Sequence, residues 1–292
     1  MSTATTPSRF SLYLKLIRFD RPIGTLLLLW PTLWALWLAT AGKPDWLLVL
    51  VFIAGTFLMR SAGCAINDYA DQKYDAKVAR TAERPLASGA LAPREALWVA
   101  GVLALAALIL VVVFLNRLTQ GLSVIAALLA ASYPYTKRFL AMPQAYLGVA
   151  FGFGIPMAFA ATTNTVPALA WWLMLANICW TIAYDTEYAM VDRDDDLTIG
   201  IKTSAILFGR FDVAAVMVCY AGALALLAWI GDGLQLGWPF WLGLGLAGAV
   251  AIYHFSLIRA RQKEGCFRAF LHNNWFGLSI FAGLFFTYLL EK

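Results

Sequence analysis

Two short stretches concentrate oxygen ligands: AINDYADQKYD, residues 65–75, and AYDTEYAMVDRDDD, residues 183–196. Asp71 and Asp75 are four residues apart, and so are Asp192 and Asp196. Asn67 lies four before Asp71. On an α-helix, residues at this spacing share one face, a turn apart. Each stretch therefore aims two carboxylates the same way, and the first adds an amide oxygen. Asp68 and Asp185 open the two motifs and fall near the same ends. Like charges at this spacing repel, and a bound cation offsets that cost. Ligands that are all oxygen select a hard metal, Mg²⁺ or Mn²⁺. Mg²⁺ keeps several waters and usually joins one or two carboxylates to phosphate oxygens of a substrate. Two such faces suit a diphosphate. Asp194 and Asp195 lie off the 192/196 face and read as solvated.

Basic residues stand close to both motifs. VARTAERPLASG after the first carries Arg80 and Arg84, IGIKTSA after the second carries Lys202, and YPYTKR between them carries Lys137 and Arg138. A diphosphate needs charge-assisted donors as well as metal, so Arg80, Lys137, Arg138 and Lys202 are candidate substrate-binding residues, with Asp185 beside them. Arg60 lies seven residues before Asn67, about 10 Å deeper along a helix. An ionisable group inside an apolar segment marks a functional site by default, and Arg60 suits an anionic group such as a carboxylate.

The elements that must position these residues are membrane helices. The chain has 292 residues, of which 61% are hydrophobic and 13% charged, with mean hydropathy +0.71. Crossing a bilayer takes roughly 20 apolar residues. Nine stretches qualify, near 22–41, 46–66, 95–115, 118–136, 143–162, 167–188, 212–231, 236–257 and 273–290. Backbone amides in lipid must be satisfied internally, and these runs lack the alternation of a membrane β-barrel. The expected fold is all-α and polytopic, with about nine transmembrane helices around a central cavity, under a cytoplasmic cap of short helices and loops. The long connections 67–94 and 185–211 carry the acidic clusters.

Of the 22 basic residues, 18 fall in the N-terminus and every second loop. The positive-inside rule then places the N-terminus and the acidic clusters in the cytoplasm, and the C-terminus on the opposite side. The net charge of +5 suits an anionic leaflet and gives no ground for nucleic-acid binding. The four cysteines show no CxxC spacing and there are two histidines, which argues against a disulfide framework or a zinc site. NDYADQKYD from Asn67 aligns with YDTEYAMVD from Tyr184 at an offset of 117. The chain reads as a single domain, residues 1–292, with a pseudo-repeat of 22–136 and 143–257 followed by a ninth helix, 273–290.

Neutralising a diphosphate makes it a good leaving group. If the remainder is allylic, a stabilised carbocation follows, and its apolar tail explains a site at the mouth of membrane helices. An ion-coupled transporter would line the midplane with its charges, whereas these crowd one end. A CDP-alcohol phosphotransferase would carry a DGxxAR run that the first motif lacks.

The residues resemble the UbiA superfamily of intramembrane aromatic prenyltransferases over nearly the whole chain. The family's NDxxDxxxD matches Asn67, Asp68, Asp71 and Asp75, and its DxxxD matches Asp192 and Asp196. PIGTLLLLWPTLWALW, MRSAGCAINDYAD, RTAERPLASG, YDTEYAMVDRDDD and IGIKTSAILFG add to the match. The resemblance implies Mg²⁺ at Asn67, Asp71, Asp75, Asp192 and Asp196, with Asp68 a further candidate ligand from the same motif. It makes Asp71, Asp75, Asp192 and Asp196 the expected catalytic residues. It implies transfer of a polyprenyl group from polyprenyl diphosphate to the carbon ortho to the hydroxyl of 4-hydroxybenzoate, for ubiquinone synthesis, in the bacterial inner membrane. Homogentisate, a naphthoate or haem are the alternative acceptors within the superfamily.

Overall fold

The computed structural model describes residues 8–76 and 81–290. Arg80 lies outside the described residues. The described residues form twelve α-helices and no strand. A short helix α1, Arg9–Leu16, precedes α2, Ile23–Ala39, and α3, Trp46–Asp75. Then follow α4, Pro93–Phe114, α5, Arg117–Thr136, α6, Pro143–Gly152, and α7, Gly154–Thr163. The second half holds α8, Ala168–Ile199, the short α9, Ser204–Phe208, α10, Asp212–Gly233, α11, Trp238–Ile258, and α12, Lys263–Leu290.

Five of these stretches are long and apolar enough to cross a bilayer: α3, α4, α6 with α7, α9 with α10, and α11. The protein is thus an integral membrane protein. Helix α4 shows the membrane character most directly. Its only buried side chains are Ala96, Ala100 and Ala107, while Trp98, Val102, Leu105, Ile109 and Val113 face outward. That outward surface requires lipid. Inside, small residues let helices approach closely, as in other membrane bundles. A Cβ on Gly243 of α11 would fall 2.4 Å from the Ser279 carbonyl oxygen and 2.9 Å from Gly283 Cα of α12.

Proline and asparagine set the breaks. Pro143 sits in the first turn of α6, where its missing N–H costs nothing. The Asn116 side chain caps α5 by accepting from Thr119 N at 2.9 Å, and its amide donates to Ala160 O of α7 at 2.6 Å. Thus the start of α5 is tied to the end of α7.

The two motif-bearing segments differ from the expected long loops. At 1.5 Å per residue, the 30 residues of α3 and 32 of α8 reach about 45 and 48 Å, well beyond the hydrocarbon. The acidic clusters ride on these projecting turns instead of on connections, because their i, i+4 spacing suits a continuing helix and nothing before Asp75 or Gly200 breaks it. Gly200 ends α8 at φ +75, with its N–H on Asp196 O, a left-handed cap that glycine adopts without strain.

Candidate active site

One stripe of α3 carries Arg60, Asn67, Asp68, Asp71 and Asp75, one below the other at helical spacing. The basic side chains around it neutralise the acids pair by pair. Asp68, 1% exposed, accepts from Arg18 Nη2 on both oxygens, at 2.7 and 3.1 Å. Arg84 Nη1 reaches Asp68 Oδ1 at 3.2 Å and Asp75 Oδ2 at 2.7 Å. Lys137, the C-cap of α5, donates to Asp71 Oδ2. Asp71 Oδ1 is buried with no hydrogen-bond partner. Carboxylates packed this tightly need compensating positive charge, and three basic side chains supply it.

The loop after α5 joins the two motif helices. Arg138 donates to Ala70 O of α3 at 2.9 Å, and its guanidinium lies over Tyr74 and Tyr135, 5.5 and 5.0 Å from the ring centres. Lys202, beyond α8, donates its backbone N–H to Lys137 O at 3.1 Å and its ammonium to Phe139 O at 3.1 Å. Tyr74, Lys137, Arg138 and the 199–201 turn after α8 enclose a cleft of about 150 Å³. Asp196 is buried and Asp192 half-buried on the last turns of α8. Asp185, deeper on α8, hydrogen-bonds with Gln144 and lies within electrostatic reach of Arg60, Lys137 and Asp192. Tyr133 on α5 is close to Asp71, Asp185 and Arg60 alike.

Outside the site, buried Asp212 clamps the end of α8. It accepts from Arg193 Nη1 at 2.8 Å and from Arg261 Nη2 at 2.7 Å. Arg193 also donates to the Ala205 and Gly209 carbonyls, at 2.6 and 2.8 Å. The Asp212 hydrogen bond holds the Arg261 guanidinium above its ordinary range. Asp194 is 74% exposed and pairs with Lys263 at 3.2 Å, so it is the solvated residue that the spacing indicated.

Beneath the acidic ends lies a cavity of about 880 Å³. Arg18, Asn67, Asp68 and Arg84 line its charged end. Tyr133, Tyr184, Tyr188, Phe151 and Phe270 add aromatic walls, and Leu105, Leu108, Val111, Ala126 and Ala130 give an apolar side between α4 and α5. Arg60 also faces this cavity. Its guanidinium stands 5.7 Å from the Phe151 ring centre, a cation–π contact. Its buried Nε has no partner. Gly24 of α2 makes room for it, since a Cβ there would fall 2.5 Å from Arg60 Nε and Nη2.

Asn67, Asp68, Asp71, Asp75, Arg60, Lys137 and Asp185 therefore gather around one cavity and its rim, with Asp192 within reach of Asp185. Arg138 and Lys202 instead brace the rim through backbone carbonyls. Among the described residues no three acidic, histidine or cysteine side chains stand close enough to cage a metal by themselves. The donor set still fits a divalent cation shared with a phosphate ligand. The acids are hard oxygens, and Asp71 keeps one buried oxygen unused. Arg18 is a neighbour of the acids that the sequence reading left among topology charges, and Arg84, noted there beside the first motif, was not carried forward as a candidate. No spacing rule links residue 18 to 68, so only the fold reveals the pair.

The model of the UbiA prenyltransferase family matches residues 28–280. The chain is 62% identical over 285 residues to a 4-hydroxybenzoate octaprenyltransferase of Cupriavidus metallidurans, covering 98% of this chain and 97% of the relative. It is 60% identical over 290 residues to that of Ralstonia nicotianae, covering 99% of each. Among solved structures, the apo form of a UbiA homologue from Aeropyrum pernix K1 superposes with TM-score 0.78 at 24% identity, over 88% of this chain and 96% of that one. A UbiA homologue from Archaeoglobus fulgidus bound to GPP and Mg²⁺ gives TM-score 0.70 at 17% identity, over 94% and 99%. These two likenesses concern the fold.

Proposed function

The chain belongs to the UbiA prenyltransferase family, and on that premise we propose how its side chains divide the work of prenyl transfer. The enzyme moves a polyprenyl group from polyprenyl diphosphate to the ring carbon ortho to the hydroxyl of 4-hydroxybenzoate and releases diphosphate, a step of ubiquinone biosynthesis. Its relatives named for that activity are about 60% identical over nearly the full chain. The observation that carries the assignment of roles is the cavity of about 880 Å³. It joins a charged rim on α3 to an aromatic and apolar interior.

Asn67, Asp71, Asp75, Asp192 and Asp196 would hold Mg²⁺ with the diphosphate, and Asp68 orients Arg18 and Arg84 at the same rim. The bound cation would neutralise the charge that develops on the leaving group. Lys137 and Arg84, which face Asp71 and Asp75, carry the donors suited to phosphate oxygens. Arg138 and Lys202 complete the basic rim, and Arg80 is a further candidate donor to the diphosphate by its place in the sequence alone. The prenyl tail lies along α4 and α5, where Leu105 and Leu108 both line the cavity and stand more than half exposed to the lipid side. Arg60 pairs with the carboxylate of the acceptor, and Asp185 lies beside the acceptor ring. The tyrosine and phenylalanine faces exclude water and favour the allylic cation. The C–O bond to diphosphate breaks, the ring carbon forms the new C–C bond, and the ring gives up its proton.

Nine membrane crossings with a cytoplasmic cap, in two parallel halves related by the motif offset, accommodate α2 to α12. The basic-residue bias supports an inner-membrane protein with the N-terminus and site in the cytoplasm and the C-terminus opposite. The test incubates membranes bearing the protein with Mg²⁺, labelled 4-hydroxybenzoate and polyprenyl diphosphates. Label should pass into lipid-soluble product with release of diphosphate. Absence of diphosphate release with every phenolic acceptor tried would overturn the reading.

A further inference from the structure

Away from the cavity, α8 joins a second polar cluster that prenyl transfer does not use. Glu187 of α8, Tyr220 of α10, His254 of α11 and Asn273 of α12 meet there, with Trp180 beside them. All five are at most 1% exposed. Such a cluster in a membrane bundle must account for every hydrogen.

The accounting starts at Asn273. Trp180 Nε1–H can only donate and lies 2.8 Å from Asn273 Oδ1. The Ala269 carbonyl can only accept and lies 3.0 Å from Asn273 Nδ2. These two partners fix the amide orientation. Oδ1 is an acceptor, and it stands 2.8 Å from the Tyr220 hydroxyl. A phenol has one proton, and Tyr220 commits it to Asn273. The Tyr220 oxygen then faces Glu187 Oε1 at 3.0 Å and His254 Nδ1 at 2.8 Å as an acceptor. Each of those atoms must bring its own hydrogen. His254 does so as the neutral Nδ1–H tautomer, with Nε2 left to accept from His272 Nδ1 at 3.2 Å. Glu187 does so only as a carboxylic acid, whose other oxygen accepts from Asn273 Nδ2 at 2.8 Å.

An ionised Glu187 would instead set two bare acceptor oxygens against each other in a dry site. Among the described residues no arginine or lysine bonds to it, and His254 Nδ1, 3.6 Å from Oε1, spends its one hydrogen on the nearer Tyr220 oxygen at 2.8 Å; an unpaired buried carboxylate is strongly unfavourable. We infer that Glu187 is held as a neutral carboxylic acid and, through Tyr220 and Asn273, is a positioning residue that sets the rotation of α8 against α10 and α12. Residues 185 and 187 lie about 200° apart around a helix. The junction therefore decides how Asp185, nearly opposite it on α8, and the adjacent Tyr184 and Tyr188 present to the cavity. Only the kinetic consequence rests on the proposed reaction; the protonation state does not.

The test uses infrared difference spectroscopy on the purified protein in H₂O and D₂O at neutral pH, comparing wild type with Glu187→Gln. The wild type should show the carbonyl stretch of a protonated acid, shifted by deuteration and missing from the variant. Glutamine supplies an N–H where the acid supplies O–H, and a carbonyl where it accepts. Glu187→Gln should therefore keep kcat and both KM values within about twofold. Glu187→Met fills similar space without either group, and should raise the KM for 4-hydroxybenzoate about tenfold through misplacement of the site. Tyr220→Phe, which keeps Glu187 but removes its acceptor, carries the same kinetic expectation should the methionine variant fail to insert. No protonated-acid band that depends on Glu187, or a glutamine variant as impaired as the methionine one, would overturn the neutral acid. Unchanged KM values in both Glu187→Met and Tyr220→Phe would overturn the positioning role. A spectrum as expected in a protein inactive on every phenol would sink the proposed reaction and leave the acid standing.

Discussion

Replacing Arg60 by methionine tests its proposed part in recognising the acceptor. Methionine keeps most of the side chain's length and its contact with Phe151, and removes the charge and the donors. Arg60 is half-buried in the cavity wall, with Nε unpartnered and the guanidinium 5.7 Å from an aromatic face. A hydrogen-bonded ion pair in a fully desolvated site costs about 2–5 kcal/mol to break from one side. The partial exposure of Arg60 places this pair at about 2–3 kcal/mol, which at 1.4 kcal/mol per decade is roughly a 30- to 150-fold rise in KM for 4-hydroxybenzoate. The acceptor carboxylate is present in the ground state and the transition state alike, so kcat should stay within about twofold. The KM for the polyprenyl diphosphate should likewise hold. Steady-state turnover of labelled acid in native membranes measures all three. An unsubstituted phenol gives the internal control: wild type and Arg60→Met should process it with equal kcat/KM, since neither has a carboxylate to bind. Gly24→Ala is a milder version, because its Cβ would displace the guanidinium by entering 2.5 Å from it. A rise in donor KM as large as that of the acceptor, or a wild-type advantage that persists with phenol, would refute the carboxylate role.

Two more perturbations probe the rim and its support. Asp71→Ala and Asp192→Ala should each lower kcat at least about 100-fold, by analogy with loss of other transition-state charge stabilisation, while detergent extraction shows the protein still inserted; a near-normal rate in either removes that residue from the metal site. Asp212→Ala strips the partner from Arg193 and Arg261 at the base of the second motif. Both arginines are partly exposed, so the expected loss is about 2–3 kcal/mol, below the 3–5 kcal/mol of a wholly buried pair, read as a lower midpoint of thermal unfolding in detergent; an unchanged midpoint would show that the clamp carries no stability.

Much of the site was legible because helix periodicity is a local rule. Asn67, Asp71 and Asp75 share a face by spacing alone, and the structure puts them on one stripe of α3. The length of that helix was less legible. Hydropathy ended the span near residue 66, where charge begins, but charge does not stop a helix once its turns project beyond the bilayer. Which base meets which acid was illegible for another reason. Arg18, Arg84 and Lys137 reach α3 from 50, 9 and 66 residues away from the acids they bond, and ion pairing across such loops leaves no periodic trace.

Glu187 makes the same point from inside the bundle. In the sequence it is one more acid two residues after Asp185, within a run already assigned to the acidic site. The turn of the helix sends the two to different places: Asp185 to the cavity, Glu187 to a dry junction with Tyr220 and Asn273.

The amino-acid sequence by itself determined that this is a helical membrane protein, that oxygen ligands cluster at helical spacing in two stretches at the mouths of apolar spans, and that an arginine lies two turns below one of them. These follow from transfer free energy and from 3.6 residues per turn, which act over a few neighbouring residues. Tertiary structure alone decided which base meets which acid, that Arg60 opens onto the same cavity as Asn67 and Asp68, and that one acid of α8 stands apart with a proton of its own. Those are contacts between distant segments, and their energies exist only once the helices have packed.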